Sequence, residues 1–416
     1  TGRREPWSNG LHRVSLELSD CRGNVRKAER VFVIGPKPSV PKVTLRDDGM
    51  TLVDGKPFFP IGAYAVCKRE FNGNDLDRAF DGLRKGGFTM GHTYGDAYAD
   101  DFLNIADRHG FKLWVRAYQL DPEFFAQGLP CKAVAAWYLA DDTSSGTSPE
   151  LLEDRDAAVK AADSMRLSCQ ADPICSGWTY SNYEDYVHGT DVFMPEIYPV
   201  VKRLGDPSDR TCVAETVRDM ERCYSDRRDF GDGRPHGFWP IIQYFKGWDG
   251  WGHFPTREQL FGMTWAAVVH GAHGVLWYTY GGFDVPARGW KNEGITSSPE
   301  RWRNICELAS QLTGLADVLS ERTGVQPPTP VVAKGPQRDP FGQPSVTCLV
   351  KRHGGCTYLF SVNAAPEPVT ARFSLDGASG AADVLFENGR KVAVKGGELT
   401  DDFAPFGVHI YRIGEK

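Results

Sequence analysis

Two adjacent carboxylates, Asp141 and Asp142, close an apolar run in the sequence Ala-Ala-Trp-Tyr-Leu-Ala-Asp-Asp, residues 135–142. Thr143-Ser-Ser-Gly146 breaks the run, and a helix is expected to begin near Ser148-Pro149. A buried strand that ends in acids before a helix fits a (β/α) unit with its chemistry at the strand's carboxyl end. Successive strand side chains point to opposite sides, so one acid should serve the chemistry and the other a neighbouring loop. A third carboxylate, Glu196, lies in the apolar run Asp-Val-Phe-Met-Pro-Glu-Ile-Tyr-Pro, residues 191–199. Two carboxyl groups are what cleavage of a glycosidic bond requires. One protonates the leaving oxygen, and the other acts as nucleophile or activates water. The sequence assigns the acid role to Asp142, kept protonated by Asp141 and aromatic walls, and the base or nucleophile role to Glu196.

Strands and helices must carry these residues, and eight strand signals alternate with helices across about 260 residues. The strands are expected at 60–65, 88–94, 112–118, 137–142, 174–180, 191–199, 238–245 and 274–280. The helices are expected at 75–86, 98–109, 149–167, 213–225, 257–270 and 299–319. No Gly-rich phosphate turn follows the first strand, so the pattern predicts a (β/α)8 TIM barrel rather than a doubly wound sheet. A barrel's active face is built from strand ends. Besides Asp141 these supply Tyr64, His92, Tyr94, Arg116, Tyr118, Trp178, Tyr180, Tyr198, Gln243, Tyr278, Tyr280 and Asp284 as substrate-binding candidates. The loop Trp248-Asp-Gly-Trp-Gly-His253 adds Trp248 and Trp251, rings able to stack on a sugar. His92 has no second histidine two residues away, so no metal site is expected, and the chemistry needs no cofactor.

Three segments follow. Residues 1–40 hold two alternating strand signals around Asp20–Asn24 and a stiff Pro-rich linker. Residues 41–325 hold the barrel, preceded by a short hairpin turning at Asp54-Gly55. Residues 326–416 hold short strands at the spacing of a small β-sandwich. The fold class is α/β: a barrel with a C-terminal β-sandwich and a short N-terminal β-hairpin segment. A net charge of −6 argues against a broad nucleic-acid surface, and no apolar run is long enough to span a bilayer. Ten cysteines lack any Cys-x-x-Cys spacing; Cys169/Cys175 and Cys212/Cys223 form local disulfides or stand as free buried thiols. An exported location, periplasmic or extracellular, is expected, although no signal peptide is visible. Oligomeric state is not legible.

Several motifs in order make residues 44–416 resemble (β/α)8 glycoside hydrolases of the broad β-galactosidase/β-mannanase clan. They are Leu52-Val-Asp-Gly-Lys-Pro-Phe-Phe-Pro-Ile-Gly62, Ala136-Trp-Tyr-Leu-Ala-Asp-Asp142, the Glu196 run, His270-Gly-Ala-His-Gly-Val-Leu-Trp-Tyr278 and Asp401-Asp-Phe-Ala-Pro-Phe-Gly-Val-His-Ile-Tyr411. The N-terminal stub resembles the last hairpin of a bacterial immunoglobulin-like module. The resemblance implies a glycan substrate and a glycosidase activity, with two departures. Relatives carry Asp-Glu-Pro after the fourth strand where this chain has Asp141-Asp142-Thr143, and a nucleophilic Glu at the end of the seventh strand where it has Gln243. The second departure motivates an alternative, a catalytically degenerate carbohydrate-binding barrel. A metal-dependent lyase or aldolase barrel is the third reading.

Overall fold

A computed structural model describes residues 8, 10–34, 39–66, 76–94, 102–118, 128–174, 183–201, 205–247, 250–285, 290–324, 326–375 and 377–414. Its centre is a closed parallel barrel. The strands in chain order are β1 (Ile61–Ala63), β2 (Met90–Thr93), β3 (Lys112–Arg116), β4 (Val134–Ala140), β5 (Leu167–Pro173) and β6 (Val192–Ile197). They are followed by β7, in two short pieces (Gly237–Phe238 and Ile241–Gln243), and β8 (Val275–Tyr278). Each strand pairs with its sequence neighbour. β8 pairs with β1 through Val275↔Ile61, and that pairing closes the ring.

Alternation along the strands divides two apolar layers. Met90, Trp114, Tyr138, Cys169, Met194, Ile241 and Leu276 fill the barrel interior. Leu113, Val115, Trp137, Leu139, Phe193 and Trp277 face the surrounding helices. Gly62 is demanded by this filling. A Cβ there would lie 2.4 Å from Leu276 Cδ2 and 3.0 Å from the Trp114 ring.

Helix starts follow their capping residues. Ser148 and Ser298 cap Pro149–Ala162 and Pro299–Gly314, each with proline in the first turn. Thr256 and Gln259 form a reciprocal capping box for Arg257–Val269.

The helix expected to run to 167 ends at Ala162, and the fifth strand is Leu167–Pro173 rather than 174–180. Asp163 turns the chain by accepting from the Met165 amide at 2.9 Å, and the strand starts seven residues before the expected position. A small sheet of Lys246–Gly247, Phe283–Val285 and Trp290–Glu293, not foreseen in the sequence, stands after β7 and β8.

The C-terminal domain is one antiparallel sheet of eight strands, curled around Leu359, Phe373, Leu399 and Tyr411. Two of its strands, Val331–Lys334 and Glu398–Phe403, escaped the sequence reading. It docks on the barrel helix Arg257–Val269, where Phe360 stacks on Trp265 at 5.9 Å. The hairpin before the barrel turns at Asp54-Gly55, both at positive φ (49° and 78°), as a two-residue Asp-Gly turn requires. The N-terminal ribbon, Gly10–Ser19 with Val25–Ile34, turns around Asp20, whose carboxylate accepts from the Arg22 and Asn24 amides. Val14, Leu16 and Leu18 remain exposed on it, since two strands alone bury no core.

Cys169 and Cys212 are free thiols, and Cys175 lies outside the described residues. Cys212 and Cys223 lie on one helix, Ser208–Phe230, separated by about three turns and out of bonding reach.

Candidate active site

The carboxyl ends of the strands form an aromatic bowl with an acidic rim. Tyr64 is its hub: its ring centroid lies 4.4 Å from His92, 5.6 Å from Tyr94, 5.4 Å from Trp114 and 5.4 Å from Tyr278. Tyr198 continues the wall, 5.9 Å from Tyr278, and Trp251 meets it edge-on at 6.3 Å. The Trp251 indole donates to the Tyr198 carbonyl at 3.1 Å, so this ring covers the wall, partly exposed.

Asp141 faces the bowl, against the simple parity argument. β4 pairs Tyr138 with Cys169 but Ala140 with Gln170, so Leu139 is an extra residue and the alternation resets. Asp141 Oδ1 then accepts from the Tyr138 hydroxyl at 2.5 Å, and the Tyr64 hydroxyl stands 3.5 Å away. Burial, then the charge of Asp142, pushes the Asp141 carboxyl up to about 6, against the pull of hydrogen bonds from Tyr138, Tyr94 and Tyr64.

Asp142 stands at the rim in the left-handed region (φ 46°, ψ 52°), more exposed than its neighbour. The surrounding protein still raises its carboxyl above the ordinary value. Its loop is latched to β5. Thr143 Oγ1 donates to the Ala171 carbonyl at 2.9 Å, and the Ser144 amide and hydroxyl both donate to Asp172 Oδ1, at 3.1 and 3.0 Å.

Glu196 is carried by β6, where Val192 and Met194 point into the barrel and Glu196 continues their face. Burial, then the charges of Asp142, Asp141 and Asp172, hold its carboxyl well above the usual range. The acids of β4 and β5 therefore act on the β6 acid across the mouth.

Other strand-end candidates divide. Tyr118 is T-shaped to Tyr138 at 5.3 Å, and the exposed Arg116 lies 5.5 Å from the Tyr118 ring. His92 is fully buried, stacked on Trp114 at 5.3 Å, with neither ring nitrogen hydrogen-bonded among the described residues. Burial, then the charge of Arg116, keeps it neutral.

Tyr280 lies elsewhere: it belongs to the outer layer, edge-on to Trp302 at 5.9 Å. Its parity was read one residue too far along β8. Asp284 lies in the small sheet, its backbone opposite Lys291, and its side chain is outside the described set, as are Trp178, Tyr180 and Trp248.

Gln243 corrects its expected contact with substrate. It is fully buried, and its amide is consumed by one residue: Oε1 accepts from the Val200 amide and Nε2 donates to the Val200 carbonyl, both at 2.8 Å. It pins the segment after Glu196. Placing a glutamate there should therefore harm the protein. Gln243→Glu would set a carboxylate oxygen against the Val200 carbonyl and cost about 1–3 kcal/mol, read as a lower urea midpoint with no gain of activity.

Sequence reasoning missed Tyr138 and Asp172. The first was read only as part of a hydrophobic strand. The second falls between the expected helix, ending at 167, and the expected strand, starting at 174, in a run whose polar Ser168 and Gln170 mask a buried strand. Among the described residues no group of three or more His, Cys, Asp or Glu is arranged to hold a metal ion, and no helix is long and apolar enough to cross a membrane.

No protein-family model matches the sequence, and a search of curated proteins finds no match. Solved structures do resemble the fold. An α-amylase from Geobacillus thermoleovorans, complexed with acarbose, is 11% identical, with 86% of this chain and 98% of that one covered and a TM-score of 0.55. An Anoxybacillus α-amylase is 10% identical, with 84% and 92% covered and a TM-score of 0.53. A GH2 β-galacturonidase from Eisenbergiella tayi, bound to galacturonate, is 12% identical with a TM-score of 0.50. There 73% of this chain is covered, and the chain spans 58% of that enzyme's length. The chain therefore has the fold of glycoside hydrolases built on a TIM barrel with a C-terminal β-domain.

Proposed function

We propose that the protein is a glycoside hydrolase that cleaves a glycosidic bond in an oligo- or polysaccharide, with Asp142 and Glu196 as the reacting carboxyls. The observation that carries this reading is the action of the β4 acids on Glu196 at the mouth of a bowl of aromatic faces. Burial and the charges of Asp142 and Asp141 raise Glu196. Rings such as Tyr198 and Tyr278 offer flat apolar surfaces to a sugar.

The electrostatics favour the opposite division of labour from the one the sequence suggests. Glu196, held well above the usual carboxylate range by burial and by the charges of Asp142, Asp141 and Asp172, is the better placed of the two to carry a proton and give it to the leaving oxygen. Asp142, nearer solvent, is the carboxylate that attacks the anomeric carbon or activates water. The reaction draws on no metal or organic cofactor.

Incubation with a broad panel of chromogenic glycosides and polysaccharides should release product. Proton NMR of the first anomer formed then distinguishes double from single displacement. Binding to glycans by calorimetry with no product from any of them would overturn the hydrolase reading. It would favour a carbohydrate-binding barrel, which the structural use of Gln243 also suits.

A further inference from the structure

The Tyr64 hydroxyl donates to the Tyr138 hydroxyl, and the Tyr138 hydroxyl donates to Asp141 Oδ1. Each phenol has one proton to give. Tyr138 spends its own on Asp141 and meets Tyr64 as an acceptor. The direct approach of Tyr64 to Asp141, 3.5 Å, is too long to replace that link. Tyr138 is fully buried, three residues before the carboxylate it holds, and the extra Leu139 between them turns both side chains inward.

We infer that Tyr138 is a positioning residue: it relays the hydrogen bond of Tyr64 to Asp141 and fixes Asp141 as the standing anion of the mouth, leaving proton exchange to Asp142 and Glu196. The inference rests on the roles proposed for those two acids.

The direction of the chain follows from chemistry. An ionised carboxylate only accepts, so two phenols in series polarise toward it, and the second bond strengthens the first. A short O–H···O⁻ contact is the charge-assisted kind. The hydrogen bonds from Tyr138, Tyr94 and Tyr64 act against burial and against the charge of Asp142.

The remaining titratable groups around the mouth come from five of the strands packed on it. His92 stands on β2 with Tyr94 just after its end, Arg116 ends β3 and Tyr118 follows it, and Asp172 lies on β5. Glu196 belongs to β6 with Tyr198 just after its end, and Tyr278 ends β8. Of these, Arg116 is the cation, and it lies over Tyr118 rather than bonded to Asp141. The phenols are thus the groups that hold the charge in place.

The test needs no substrate. Carboxyl carbons of Asp and Glu are isotope-labelled in the full chain and titrated by NMR, with Asp141→Asn and Glu196→Gln assigning the two signals. Tyr138→Phe should raise the Asp141 midpoint by about one pH unit. Tyr64→Phe should move it in the same direction by less. An Asp141 midpoint unmoved in Tyr138→Phe overturns the inference, and if that variant does not fold, an unmoved midpoint in Tyr64→Phe does so. A glycoside panel without turnover would sink the hydrolase reading while the phenol-dependent shift still stood, so the two failures are separable.

Discussion

Glu196→Gln should cut turnover about a thousand-fold or more and, in the same protein, raise stability at neutral pH. The first effect is the loss of a proton donor to the leaving group, a contribution typically of about 10²–10⁴-fold, added to the loss of the pairing with Asp142. The second follows from linkage. The folded protein raises the Glu196 carboxyl well above its ordinary value near 4.5, mainly by burial and then by Asp142 and Asp141. Between the unfolded and folded values the native state therefore binds more protons than the unfolded chain, and stability falls as pH rises through that window. Glutamine has no proton to lose and escapes this cost. The gain should be present at pH 7 and should vanish below the ordinary glutamate value, where both states are protonated. Urea unfolding at pH 7 and pH 4, beside kcat on the best glycoside of the panel, reads both effects. A structural glutamate would behave oppositely, losing stability at pH 7 with activity falling only as folding fails. That outcome would remove Glu196 from the mechanism.

The fold was legible because its signals are periodic. Seven of the eight barrel strands overlap the runs read in the sequence, and Ser148, Thr256 and Ser298 cap helices where side-chain chemistry demands it. The fifth strand was lost for a local reason. A charged helix ran into Ser164–Leu167 without a glycine or proline to stop it, and the stop is supplied instead by the tertiary bonds of Asp163 and Arg166. With that strand went Asp172, which anchors the loop of Asp142. The site was half legible for a related reason. Asp142 and Glu196 follow from composition at strand ends. The inward turn of Asp141 depends on a bulge at Leu139, and a bulge is set by pairing across strands that no single stretch encodes. Gln243 stands out in the sequence as a departure from the glycoside hydrolases it resembles. Its use, two bonds to the backbone of Val200, depends on a segment 43 residues away that no local pattern names.

The largest loss of stability should come from a residue outside the mouth, Asp163. Arg166 is almost completely buried, and its guanidinium donates to Asp163 Oδ2 at 2.7 Å and to the Leu129 and Cys131 carbonyls at 2.9 and 2.7 Å. The same Asp163 oxygen accepts from the Trp137 indole at 2.8 Å, and Trp137 lies on the outer face of β4. Removal of one partner from such a pair leaves a buried charge uncompensated, which costs about 3–5 kcal/mol. Asp163→Ala also strips the indole of its acceptor and the turn at Met165 of its cap. Asp163→Asn keeps an acceptor for the indole and removes the charge, so its loss should be smaller. Because Trp137 stands four residues before Asp141, the strand that carries the acid pair is tied down by this bond, and activity per folded molecule should fall as well. Guanidinium unfolding followed by tryptophan fluorescence measures the first effect, and kcat normalised to folded protein measures the second. A loss below about 1 kcal/mol in Asp163→Ala, the range of an exposed pair, would mean that Arg166 is held by the two carbonyls alone and that β4 does not depend on the anchor.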